Sequence, residues 1–196
     1  MAETAYGPTS ALVVVDVQND FADPAGSLYV AGGDEIVPVI NDHIAAATAA
    51  GALVVYTQDW HPEVTPHFAD HGGVWPVHCV RDTWGAELHP DLTVGGPVIR
   101  KGTNGEDGYS GFTMRDPETG EETTTGLEAE IVAHGATEVV VVGLAFDVCV
   151  KATALDSLAN GHRTSVPLEA SRSVQLQPGD SERAAIELTR AGAVVA

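Results

Sequence analysis

Six short apolar, β-branched runs recur along the chain: Ala11–Val15, Ala52–Thr57, Pro97–Arg100, Thr137–Val142, Arg163–Leu168 and Ala193–Val195. Runs that stay apolar instead of alternating are those of strands buried on both faces, and helix-like stretches fill the intervals between them. Strands joined through helical crossovers form parallel sheets. The pattern therefore predicts an α/β fold, a three-layer α/β/α arrangement around a six-stranded, mostly parallel, Rossmann-like sheet.

The helices carry their own punctuation. Asp34 can cap a helix running to about Ala50, with Pro38 tolerated in the first turn and Ile36, Val39, Ile40 and Ile44 as its apolar stripe. Thr125-Gly-Leu-Glu128 reads as a capping box for a helix ending at His134-Gly135. A helix from Asp147 to Asn160 turns Val150, Ala154, Leu155 and Leu158 toward the sheet and stops at Gly161. Ser181 opens another over Glu182–Arg190. Two stretches, Gln58–Gly96 and Gly102–Thr124, break the rhythm and are rich in Gly, Pro, His and Asp; loops this long inside a domain are usually functional. With no repeat or linker, residues 1–196 read as one domain.

Charge narrows the partners. A formal net charge of −19, from 28 acidic against 9 basic residues, argues against binding a phosphate backbone, so no nucleic-acid partner is expected. No run approaches the roughly 18 apolar residues of a membrane span. The N-terminal stretch Met1–Pro8 has no basic segment before an apolar one, which predicts no secretory signal and a cytoplasmic location. In that reducing setting Cys79 and Cys149 are expected to be free thiols.

Ligands of an open parallel sheet bind outside the carboxyl ends of its strands. Asp16 follows the first strand, Asp59 the second and Lys101 the third, and Cys149 closes the turn after the fourth. A helix N-terminus lowers a thiol's pKa, and a base and a cation are what a nucleophilic thiol needs. The first long loop adds Asp59, His61, His67 and His78 within twenty residues. That donor set suits a divalent transition metal, zinc before iron or manganese, with positions open to water or substrate. His71 and Cys79 are competing ligands by spacing, and the absence of Cys-x-x-Cys pairs disfavours a structural zinc site.

In these residues the chain resembles the cysteine hydrolases of the isochorismatase-like superfamily, most closely the nicotinamidases that also hydrolyse pyrazinamide. The resemblance runs from about Ala11 to Val195. It is carried by Val14-Val-Asp-Val-Gln-Asn-Asp-Phe21, Gly26-Ser-Leu28, Asp59-Trp-His61, His67-Phe68, Trp75-Pro-Val-His-Cys79, Lys101-Gly102, Tyr109-Ser-Gly-Phe112 and Val142-Gly-Leu-Ala-Phe-Asp-Val-Cys149. It implies the isochorismatase-like hydrolase fold, Asp16, Lys101 and Cys149 as a catalytic triad, and Asp59, His61, His67 and His78 as metal ligands. It further implies that Phe21, Trp75 and Tyr109 flank an aromatic ring, that the backbone N–H groups of Ala145 and Cys149 form an oxyanion hole, and that the Leu144–Ala145 peptide is cis.

The implied reaction is hydrolysis of nicotinamide to nicotinate and ammonia, and of pyrazinamide to pyrazinoate, through a thioester on Cys149. The alternatives are another small amide, such as an N-carbamoyl amine, or a catalytically silent metal-binding relative. Members of the superfamily occur as monomers and as symmetric oligomers, so a homo-oligomer is compatible with the resemblance. Phe146 and Val148 depart from the smaller or polar residues that resembling nicotinamidases often carry there, and a bulkier turn could reshape the pocket while leaving the triad in place.

Overall fold

A computed structural model describes residues 5–196, so the first four residues of the N-terminal stretch lie outside the described part. In chain order the elements are β1 (Ser10–Val15), the single-turn α1 (Asn19–Ala22), α2 (Val37–Ala49), β2 (Leu53–Asp59), β3 (Val98–Lys101), β4 (Thr113–Arg115) and β5 (Glu122–Thr124). They continue with α3 (Leu127–His134), β6 (Glu138–Leu144), α4 (Lys151–Ala159), β7 (Arg163–Val166), β8 (Ser171–Arg172), α5 (Asp180–Ala191) and β9 (Val194–Val195).

The main sheet has the order β3-β2-β1-β6-β7-β9, and every pairing in it is parallel. The six expected strands are all present. A two-residue strand, β8, extends the sheet by pairing with the end of β6 at Gly143 and Leu144. The all-apolar runs are explained by layers on both faces. Leu12 and Val14 of β1 join Val140, Val142 and Leu144 in a core beneath α2, whose Val37, Ile40, Ile44 and Ala47 face the sheet. Ala11, Val13 and Val15 join Val139 and Val141 in a second core against α3, α4 and α5. Each fully buried Val or Leu contributes roughly 1.5–3 kcal/mol, so β1, buried at every position, is the least replaceable strand.

The chain leaves β1 toward β2 and β3 on one side, and leaves β6 toward β7 and β9 on the other. The strand order therefore reverses between β1 and β6. A crevice opens at their carboxyl ends, and the site stands there.

Local chemistry differs from the sequence expectations at several points. Asp34 accepts a hydrogen bond from the Tyr29 hydroxyl (2.6 Å) instead of capping, and α2 begins three residues later. The capping box does not form. Thr125 Oγ1 accepts from the Leu127 N–H (3.2 Å), whereas the Glu128 carboxylate turns away to His162 (2.9 Å). The segment opening at Asp147 is not α-helical at first: Phe146–Val150 forms a π turn, and α-helix follows only from Lys151. Within the second long stretch, β4 and β5 form an antiparallel hairpin. No helix among the described residues is long and apolar enough to cross a membrane.

Candidate active site

Asp59 and Lys101 end β2 and β3 as register partners, so their side chains leave the sheet side by side. Asp16 follows β1 with a positive φ of 50°. Its carboxylate Oδ1 accepts from the buried Thr57 hydroxyl (2.7 Å), and Oδ2 pairs with the Lys101 ammonium (2.7 Å). Lys101 is fully buried, yet its Nζ is held by Asp16, by Asp59 Oδ1 (2.5 Å) and by the Gly108 carbonyl. Cys149 Sγ stands 3.9 Å from that ammonium. A carboxylate oxygen of Asp16, one of Asp59 and the Cys149 sulfur lie within 4.8 Å of one another.

Electrostatics set the resting protonation. Burial lowers the Lys101 pKa, but the two carboxylates outweigh it and hold the ammonium well above its ordinary range. Burial also raises Asp16, to about 6, against the lowering pull of Lys101. Burial raises Asp59, but Lys101 together with His61 and His78 outweighs it, and its pKa is lowered. The thiol of Cys149 is pushed well above 9, chiefly by burial, with Lys101 opposing. This corrects the expectation of a thiol acidified by its helix terminus: the resting sulfur is protonated, and a base is required to activate it.

Beside this cluster lies the imidazole group. The long loop after β2 folds back through backbone bridges, with the His61 N–H donating to the Cys79 carbonyl (3.0 Å) and the Arg81 N–H to the His61 carbonyl (2.9 Å). His61, His67 and His78 thus place one ring nitrogen each within 4.8 Å of one another. Asp59 Oδ2 lies 3.8 Å from His61 Nε2 and 4.0 Å from His78 Nε2. His67 Nδ1 is tied to Asp107 (2.6 Å) and His78 Nδ1 to the Pro76 carbonyl (2.7 Å), which leaves both Nε2 atoms free as donors to a metal. Burial lowers the pKa of His67, and that of His78 to about 4, so their lone pairs are available at neutral pH. Both ring nitrogens of His61 are buried without a hydrogen-bond partner. A divalent ion would satisfy one of them, and three imidazoles with a carboxylate oxygen fit such an ion. The two competing ligands stand apart: His71 is exposed, and Cys79 is buried with its thiol directed at the Gly85 carbonyl.

A cavity opens onto both groups. Cys149, Ala145 and Val148 line it from the turn, Asp59, His67 and His78 from the imidazole side, and Phe21, Trp75 and Tyr109 from the walls. The Trp75 indole N–H donates to the Tyr109 hydroxyl (3.0 Å), fixing the two rings to each other. The Leu144–Ala145 peptide is cis. Of the two bulky residues flanking Asp147, only Val148 faces the cavity; Phe146 is buried in the core under α5.

Sequence reading assigned no role to four residues that hold this arrangement. Gln18 accepts from the Asp59 N–H and donates to the Asp59 carbonyl, each at 2.8 Å. Asp20 accepts from the Cys79 N–H (2.7 Å) and the Ser27 N–H (2.9 Å), anchoring the loop that carries His78. Thr57 orients Asp16, and Asp107 orients His67. The available signal was the run of polar residues directly after the first strand, where a buried polar group needs partners; Asp107 leaves no trace in any periodicity.

A buried thiol, carboxylate and ammonium at the switch point of a parallel α/β sheet define the class of cysteine hydrolases. Residues 10–196 match the isochorismatase domain, and the chain belongs to that family. It is 38% identical over 206 residues to the nicotinamidase of Escherichia coli, covering 96% of this chain and 94% of that one. Among solved structures it is similar to the pyrazinamidase of Pyrococcus horikoshii in complex with zinc (TM-score 0.85, 39% identity, 96% of this chain and 99% of that one). It is also similar to PnC1 from L. infantum in complex with nicotinate (TM-score 0.87, 36% identity, 98% and 95%).

Proposed function

We propose that the protein is an amidohydrolase that converts nicotinamide to nicotinate and ammonia, and pyrazinamide to pyrazinoate, through a thioester on Cys149. The observation that carries this reading is the gathering of Asp16, Lys101 and Cys149 on one side of an aromatic-walled cavity with the imidazoles of His61, His67 and His78 on the other. Residues 1–196 act as one catalytic domain, a reading supported by the family match over 10–196.

Asp16 takes the Cys149 proton, and the thiolate attacks the carboxamide carbon. The backbone N–H groups of Ala145 and Cys149 hold the oxyanion. Asp16 returns its proton to the departing nitrogen, which leaves as ammonia, and then deprotonates the water that cleaves the thioester. Lys101 keeps the Asp16 carboxylate oriented and offsets the charge that develops on sulfur. Phe21, Trp75 and Tyr109 flank the ring. Asp59, His61, His67 and His78 would hold a divalent transition metal, zinc before iron or manganese, which when bound supplies a Lewis-acid anchor for a pyridine nitrogen.

An ammonia-release assay on nicotinamide, pyrazinamide and an N-carbamoyl amine tests the reading. Turnover of the first two and little of the third is expected. Preference for the carbamoyl compound would redirect the substrate assignment, and silence on all three would make the chain an inert relative.

A further inference from the structure

Asp147, two residues before Cys149, is buried at 8% exposure and takes part in no ion pair among the described residues. Its carboxylate is instead occupied by backbone. Oδ1 accepts from the Val174 N–H (3.0 Å) and Oδ2 from the Gln175 N–H (2.8 Å). These two successive amides have no other acceptor among the described residues. The segment they belong to runs from β8, which pairs with Gly143 and Leu144, so strand pairing and carboxylate together stitch residues 171–175 along the turn that carries the cysteine. Just beyond β8 the chain has no regular structure, and Gln175 adopts a left-handed φ of 50°. A non-glycine residue keeps such a conformation only where its surroundings over-determine it. The side chain of Val174, held this way, lines the same cavity as Cys149, Ala145 and Val148.

We infer that Asp147 is a positioning residue: its carboxylate clamps the Val174–Gln175 backbone so that Val174 forms, with Val148, an apolar wall of the substrate cavity. This rests on the proposed amidase activity and adds to it a determinant of which ring the cavity accepts. A carboxylate is the suited side chain, since it is the one group that can accept two adjacent N–H groups without bringing a donor of its own. The wall is built by the clamp and needs no charge near the ring.

The test is a double-mutant cycle on nicotinamide turnover with Asp147→Ala, Val174→Ala and the double variant, together with Asp147→Asn. Asp147→Ala is expected to raise KM about tenfold with kcat changed far less, Val174→Ala to raise KM similarly, and the double variant to add little to either. Asp147→Asn, which keeps one acceptor oxygen, should recover part of the loss. Nicotinamide binding by calorimetry in the Cys149→Ala background reads the same wall without turnover, and thermal unfolding of each variant checks that it folds. Additive KM effects, or unchanged nicotinamide binding by a folded Asp147→Ala protein, would overturn the clamp while leaving the amidase reading intact. A wild-type protein inert toward nicotinamide would overturn both.

Discussion

The fully buried Lys101 ammonium has two carboxylates, a carbonyl and a sulfur around it, and no water needs to be invoked to satisfy it. Removing one partner of a buried ion group leaves the others uncompensated, which costs about 3–5 kcal/mol. Lys101→Met should therefore lower stability by that amount in chemical denaturation and abolish turnover. Asp16 supplies a pH prediction. Burial raises its pKa to about 6, and as a base it must be ionised, so kcat/KM should fall as the pH drops through about 6. A pH profile flat down to pH 4 would contradict Asp16 as the base. Asp107 tests the imidazole side. Asp107→Ala removes the acceptor that fixes the His67 tautomer, and zinc affinity measured by competition with a chromogenic chelator should weaken about 10–100-fold.

Gly143 shows how one element carries the site. It pairs with Val15 across the β1–β6 seam with a φ of 112°, and a Cβ there would fall 2.2 Å from the Val15 carbonyl oxygen. Gly143→Ala should cost roughly 3 kcal/mol and disturb Asp16 and the Cys149 turn together, a loss visible as reduced stability with reduced turnover. The elements themselves were largely legible, because a strand buried on both faces writes itself as an unbroken apolar run and a helix stop writes itself as Gly135 or Gly161. What stayed illegible was decided by tertiary contacts. Nothing local distinguishes the π turn at Phe146–Val150 from a first α-helical turn, and Glu128 leaves its expected cap because His162 arrives from a distant loop. β8 is two residues long and exists only because β6 is beside it.

At the scale of the molecule, function follows from topology. A strand order that reverses between β1 and β6 brings Asp16 and Cys149 to one crevice, and β2 and β3 deliver Asp59 and Lys101 beside them. Sequence spacing named all of these residues, since Asp16, Asp59 and Lys101 stand at strands' carboxyl ends and Cys149 closes the turn after one. It missed the shell that orients them, Gln18, Asp20, Thr57 and Asp107, because hydrogen bonds between residues some 40 or more positions apart have no period. It also expected an acidified thiol, whereas burial pushes the Cys149 thiol up against the lowering pull of Lys101. Dialysis against a strong chelator should reduce ammonia release and zinc should restore it, which links the loop histidines to the chemistry. The central claim, attack by the Cys149 sulfur, is tested most directly by ammonia release from nicotinamide in Cys149→Ala. The account predicts a loss of about 10⁴-fold or more in kcat with the cooperative unfolding transition retained. A folded Cys149→Ala protein that keeps a substantial fraction of wild-type turnover would contradict it.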